Sequence, residues 1–347
     1  MNDLSAYQQR LLDTAQKVLA CDSPTGFTGN VLALTRAMAE ELGCAVSTSK
    51  RGALRITVDG RDNSRTVGCF AHMDTLGLSL RSITGSGELL FTPLGGPILP
   101  TLDGEYCRVY TRGGKVYTGT ILSRSPAGHV FKDADTRPRD SENMYVRLDE
   151  VVYSREDVEA LGIRNGDIIC IDTKTQVTPS GYLKSRFLDD KASVAILLTA
   201  LQAMRDNGWK PRYRTEIVFT VYEEVGSGCN WFPNELDEFL IVDMGCIGPE
   251  LKCTEQQVSI CAKDSAGPYD YELTSRLIRL AQENGVDFAV DDYPFYSSDA
   301  SVAWKSGCDA PGALIGTGVH ASHGMERTHI DGMMNTLKLV LLYLGCC

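Results

Sequence analysis

Basic residues are in the minority. The 347-residue chain carries 34 Lys+Arg against 45 Asp+Glu, a formal charge of −11 at pH 7 and a pI near 5.0. A nucleic-acid binder needs a basic face to neutralise phosphates, and no basic patch stands out along the sequence. Long hydrophobic runs are also missing. Nothing approaches the roughly 18 unbroken apolar residues of a membrane helix, and the tail from Leu337 to Cys347 is too short. The opening MNDLSAYQQR has neither the basic start nor the apolar centre of a secretion signal. A soluble, cytoplasmic protein with no nucleic-acid or membrane partner is expected. Cysteine is plentiful, at 12, but scattered and without a Cys-x-x-Cys. That excludes a thiolate zinc knuckle and leaves reduced, buried thiols in a chain too long to need disulfide staples. Repeats, low-complexity runs, a phosphate-binding loop and a serine nucleophile elbow are all absent.

What is present is an ordinary globular composition, 43% apolar, at a length that suits about two domains. Apolar residues at Leu4, Tyr7, Leu11, Ala15, Val18 and Leu19 predict a helix over 3–20. A turn at Ser23-Pro24-Thr25-Gly26, a second helix ending at Gly43, and strands over 45–49, 53–58 and 66–71 follow. From about Leu80 to Gln176 the sequence changes to β-type runs between Gly and Pro turns, with helical spacing only near 154–161. Helix and strand then alternate: helix 190–204, strands 216–222, 239–243 and 257–262, helix 271–284, a strand near 312–315, and a closing helix 331–344. The expected architecture is α/β, with a mixed, largely parallel sheet flanked by helices. A small all-β domain over 81–176 interrupts a catalytic domain built from 1–80 and 177–347.

In open α/β sheets, reactive groups gather at the carboxyl ends of strands. Four places put metal-type donors there: His72-Met73-Asp74 after an apolar strand, Leu188-Asp189-Asp190 opening a helix, Glu223-Glu224-Val225-Gly226 after an unbroken β-type run, and Asp243 closing another. Three of the five histidines, His320, His323 and His329, fall in one late segment. Each signal has a plain structural reading, such as capping for the helix-opening aspartates. Two adjacent glutamates ending a buried strand are harder to dismiss, because they cost desolvation unless a cation meets them. Together the five positions offer N and O donors enough for two divalent cations, with one glutamate left over as a base. That combination suits hydrolysis. His129 reads as a surface residue and Ser298-Asp299-Ala300-Ser301 as a helix start.

The ordered set His72-x-Asp74, Leu188-Asp189-Asp190, Glu223-Glu224-Val225-Gly226 and Asp243, with a β insert between the first two, resembles the tetrahedral (TET-type) dinuclear-metal aminopeptidases. That family includes glutamyl and deblocking aminopeptidases. The resemblance implies a zinc-exopeptidase-like fold whose insert is a barrel or PDZ-like dimerisation domain. It makes His72 and Asp243 ligands of one ion, Glu224 and His323 ligands of the other, and Asp189 the bridge. Glu223 becomes the general base that takes a proton from the attacking water, and Asp74 orients His72. Among the late histidines, His323 is preferred because Glu326 follows it as an acid does in the family. Two divalent ions per subunit are implied, Zn²⁺ or Co²⁺ first and Mn²⁺ next. Short peptides are the implied substrates, and dimers joined into a tetrahedral dodecamer the implied assembly. Two departures stand out: Lys191 replaces the family's arginine, and Ala-Ser-His replaces its aromatic-His-Ser. A dinuclear hydrolase of small N-acylated or dipeptide-like metabolites, or a non-catalytic relative, are the alternatives.

Overall fold

The apolar stripe at Leu11, Ala15, Val18 and Leu19 forms the buried face of α1 (Gln8–Leu19). A short 3-10 turn precedes it from Ser5, while Asp3, where the sequence pattern begins, lies outside the described residues. The structure, a computed structural model, describes residues 4–233 and 235–346. Helix α2 (Gly29–Glu41) and strands β1 (Ala45–Thr48), β2 (Leu54–Val58) and β3 (Asp62–His72) follow. The chain divides at Asp74/Thr75 and again at Thr173/Lys174 into two compact units.

The inserted unit, 75–173, is a closed barrel of β4 (Gly77–Ile83), β5 (Leu89–Leu94), β6 (Tyr106–Tyr110), β7 (Val116–Ser123), β8 (Met144–Leu148) and β9 (Ile168–Ile171). Every pairing in it is antiparallel. The predicted helix near 154–161 is α3 (Arg155–Ala160), started by a capping box in which Ser154 and Asp157 each satisfy the other's backbone N–H. The unit begins earlier than the compositional change at Leu80 suggests, because Leu78 and Ser79 already pair with β9.

The larger unit resumes with β10 (Gln176–Val177), β11 (Tyr182–Ser185), α4 (Leu188–Asn207), β12 (Tyr213–Thr220), β13 (Glu238–Cys246), β14 (Val258–Asp264) and β15 (Gly267–Pro268). It ends with α5 (Tyr271–Glu283), β16 (Phe288–Asp292), α6 (Asp299–Lys305), β17 (Gly312–Val319), β18 (Glu326–His329) and α7 (Ile330–Tyr343). Its main sheet runs β1-β2-β12-β3-β13-β17-β14-β15, with β16 beside β14. The central four strands are parallel, with β13 and β17 almost wholly buried and β3 and β12 buried toward their carboxyl ends, which explains their apolar runs there. Helix α4 is buried on all sides from Leu188 to Met204 and packs against α1, α7 and the sheet. Gly316 allows β17 to lie against β13, since a Cβ there would collide with the Asp243 carbonyl. No helix among the described residues is long and apolar enough to cross a membrane.

Candidate metal centre

Register brings the predicted residues together. Thr220 at the end of β12 is level with His72 at the end of β3, and β13 runs parallel beside β3 with Ile241 opposite Phe70. His72, the turn after β12 and Asp243 therefore meet at one edge of the sheet. The sequence pattern carries β12 through Tyr222, but the strand stops at Thr220. Tyr222 takes a left-handed conformation (φ 71°) and Glu223–Val225 form a 3-10 turn, which swings both glutamates toward His72. Asp189 and Asp190 reach the same edge at the start of α4, where they depart from helical geometry and are joined by a cis peptide bond.

The His72 ring is buried. Its Nδ1–H donates to the Asp74 backbone carbonyl at 3.0 Å, with the Asp74 carboxylate farther away at 3.7 Å. Nε2 points into the centre, 3.1 Å from Asp189 Oδ1 and 3.8 Å from Glu223 Oε2. The Asp74 carboxylate accepts from Thr25 Oγ1 (2.6 Å) and from the Glu223 N–H (3.2 Å), so it ties the Ser23–Gly26 turn to the glutamate pair. His323 Nε2 lies 3.5 Å from Glu224 Oε2 and 3.6 Å from Asp189 Oδ2. Of the other late histidines, His329 caps α7 by accepting from the Asp331 N–H, and His320 is exposed on a lone β-bridge to Arg327.

Three residues do work that the sequence does not announce. Buried Glu326 accepts from the N–H groups of both Asp189 (3.1 Å) and His323 (3.0 Å), and so fixes two donors at once. Asp190, which reads from sequence as a capping residue, accepts from the His72 N–H at 3.0 Å. Asp299, at the start of α6, accepts from Thr220 Oγ1 (2.6 Å) and the Cys229 N–H (2.8 Å), bracketing the glutamate turn from both sides. The nearest signal in the sequence was the Ser298-Asp299 helix start. That remains correct for Ser298, which caps α6.

Charge crowding dominates the site. Burial raises the Glu223 pKa well above the usual carboxylate range, helped by the charges of Asp299 and Asp243. Glu224 is raised likewise by burial and by Asp189. Asp243, buried near Asp189, is pushed up to about 7. Burial opposes a charged His72 imidazole, but Asp189, Glu223 and Asp243 outweigh it and hold its pKa well above the ordinary value. So many carboxylates cannot all ionise together unless a cation joins them.

The donors fit divalent ions. Ligand atoms of His72, Asp190 and Asp243 lie within 4.8 Å of one another, and so do those of His72, Asp189 and Glu224. Buried Glu224 Oε1 has no hydrogen-bond partner, a costly state that a cation would relieve. The set is oxygen and imidazole only, in keeping with Zn, Co or Mn.

Carboxylates and imidazoles converging on a parallel sheet edge define a metal-dependent hydrolase. Residues 52–339 match the family described as M42 glutamyl aminopeptidase, and the chain belongs to that family of metal-dependent aminopeptidases. It is 41% identical over 336 residues to "Putative aminopeptidase YhfE" of Bacillus subtilis (strain 168), covering 96% of this chain and 97% of that one. Its fold is similar to aminopeptidase APDkam598 from the archaeon Desulfurococcus kamchatkensis, with TM-score 0.87, 21% identity and 97% and 95% of the two chains covered. The TET1 peptidase of Pyrococcus horikoshii, described as assembling into a tetrahedron or a large octahedral shell, matches with TM-score 0.82 and 21% identity over 95% and 98%.

Proposed function

We propose that the protein removes N-terminal residues from short peptides, with His72, Asp189, Glu224, Asp243 and His323 holding two divalent ions, Asp189 between them, and Glu223 acting as general base. The observation that carries this reading is the division of labour in the glutamate pair. Glu224 is 3% exposed and carries an unpartnered oxygen, whereas the neighbouring Glu223 is 15% exposed and faces the same donors. One is placed to ligate and the other to meet substrate.

When bound, the ions, Zn²⁺ or Co²⁺ first and Mn²⁺ next, supply carbonyl polarisation and a more acidic water. The Glu223 carboxylate accepts a proton from water as it attacks the scissile carbonyl, then delivers it to the departing amine. Asp74 steadies this base through the Glu223 N–H, while its backbone carbonyl fixes the His72 tautomer so that Nε2 faces inward. The assembly of the Pyrococcus horikoshii relative supports self-association here, with the barrel insert joining dimers and six dimers closing a dodecamer. A cytoplasmic location fits an interior that admits short peptides.

The test pairs a free-amine peptide with its N-acetylated form on metal-restored protein. The free form alone should be cleaved. Glu223→Gln should retain its metal while turnover falls by at least about a thousandfold. Full activity in that variant, or cleavage of only the blocked peptide, would sink the reading.

A further inference from the structure

The loop between β17 and β18 carries His323, and its backbone is unusual on both sides of Ser322. Ala321 (φ 60°) and His323 (φ 63°) are both left-handed, a conformation costly for a residue with a Cβ. Strain of this kind persists only where the surroundings impose it. Here they do. The N–H groups of His320 and Arg327 donate to each other's carbonyls (2.9 and 3.1 Å) at the base of the loop, and the Gly324 N–H donates to the Ala321 carbonyl at 3.0 Å. Two further grips fasten the loop to the start of α4. The buried Arg186 guanidinium donates to the Gly324 carbonyl at 3.1 Å, and Glu326 accepts the N–H groups of Asp189 and His323.

Each of these bonds holds backbone. The half-buried Ser322 hydroxyl instead reaches a side chain of the centre, donating to Asp189 Oδ2 at 3.1 Å. The loop is closed and anchored without that bond, so support of the chain does not account for it. Its effect falls on the carboxylate. Asp189 Oδ1 lies 3.1 Å from His72 Nε2, whereas Oδ2 lies 3.6 Å from His323 Nε2, which is itself 3.5 Å from Glu224 Oε2. The two oxygens thus serve different halves of the donor set. A donor fixed on Oδ2 keeps the carboxylate from rotating that assignment away, and still leaves the oxygen a second lone pair.

We propose that Ser322 is a positioning residue for one of the two ions, its hydroxyl holding Asp189 so that Oδ2 stays turned toward Glu224 and His323. This rests on the two-ion reading above. The left-handed pair at Ala321 and His323 has its use here, since it lets consecutive residues of one loop present Oγ and Nε2 to the same carboxylate oxygen. The effect is local to that half of the centre. His72 and Asp243, which the loop's hydroxyl does not touch, keep their ion without it.

The experiment titrates metal-stripped protein with Zn²⁺ in a calorimeter, comparing wild type, Ser322→Ala, Ser322→Thr and His323→Ala. The binding event that His323→Ala removes identifies the ion on that side. Ser322→Ala should weaken the same event about 10- to 100-fold, the usual scale for a group that supports a ligand, and leave the other event unchanged. Ser322→Thr, which keeps a hydroxyl, should restore it. With Co²⁺ in place of Zn²⁺, the visible absorption of the affected ion should change in the alanine variant and return in the threonine one. Wild-type affinity in Ser322→Ala would overturn the proposal, as would equal weakening of both events or failure of threonine to rescue. A metal-free Ser322→Ala that melts far below metal-free wild type would overturn it too, because the hydroxyl would then be holding the loop. A wild type that takes up fewer than two ions would strike the two-ion reading itself and the proposal with it, a result distinguishable from failure at Ser322 alone.

Discussion

Glu326 is buried and holds the backbone of Asp189 and His323, whose side chains face each other 3.6 Å apart. Replacing it by Gln keeps the shape but offers at most one good acceptor for two N–H groups. Metal affinity, measured by titrating the stripped protein, should drop 10- to 100-fold, the usual scale for residues that support ligands. Residues of this kind were the least legible in the sequence. His72, Asp243 and the glutamate pair were readable because each closes an apolar run, and a carboxylate there has little other use. Glu326 was visible only as an acid after His323, and Asp190, though part of the Leu188-Asp189-Asp190 motif, read as a cap and not as a partner of the His72 backbone. Their importance lies in what they face across the sheet edge, and local spacing carries no record of that. Lys191, the departure from the expected arginine, is buried with its ammonium on the Cys21 carbonyl at 2.5 Å. It supports the chain ahead of the Ser23–Gly26 turn.

Among the elements, the turn after β12 is closely packed against Asp299, and Gly228 shows how. A Cβ at Gly228 would fall inside the van der Waals radius of both Asp299 carboxylate oxygens. Gly228→Ala should therefore displace Asp299 or the turn, costing about 1–3 kcal/mol in a denaturant titration and lowering kcat with it. Gly29 is a useful control, since a Cβ at this first residue of α2 meets nothing within 4 Å. Gly29→Ala should be neutral or stabilising by about 0.4–1 kcal/mol.

Farther along the same strand, the Glu216 carboxylate is fully buried and accepts from Arg55 Nε (2.8 Å), a second Arg55 nitrogen (2.7 Å) and Thr57 Oγ1 (2.8 Å), tying β2 to β12. Burial alone would raise its pKa, but Arg55 and Thr57 outweigh burial and hold it below the ordinary value. A carboxylate held low stabilises the fold above its unfolded pKa and loses that contribution as pH falls through the folded one. Glu216→Gln should cost about 1–3 kcal/mol near pH 7, and the gap to wild type should close below about pH 4. The helices and strands themselves were largely legible from periodicity. The small sheet of β10, β11 and β18 was not, because each of its strands is too short to set a pattern.

At the scale of the whole molecule, the formal charge of −11 describes the metal-free chain. Two dications would offset much of the acid crowded at the sheet edge, so chelation should destabilise as well as inactivate. By mass action, removing a ligand held at a hundred times its Kd withdraws about 2.7 kcal/mol. A thermal melt with and without chelator, with activity returning on re-addition of Zn²⁺ or Co²⁺, checks this. Self-association should appear in solution scattering as a particle many times 37.9 kDa, and a monomer at working concentration would count against the dodecamer.

The centre draws its donors from residue 72 to residue 323, with the whole barrel lying between the first donor and the next. Contacts so distant along the chain form late in folding and depend on the central strands already being in place. A chain still being synthesised, or one cut short before β17 and His323, has the glutamate pair but no completed site. The order of the donors along the chain thus ties completion of the centre to one of its last segments.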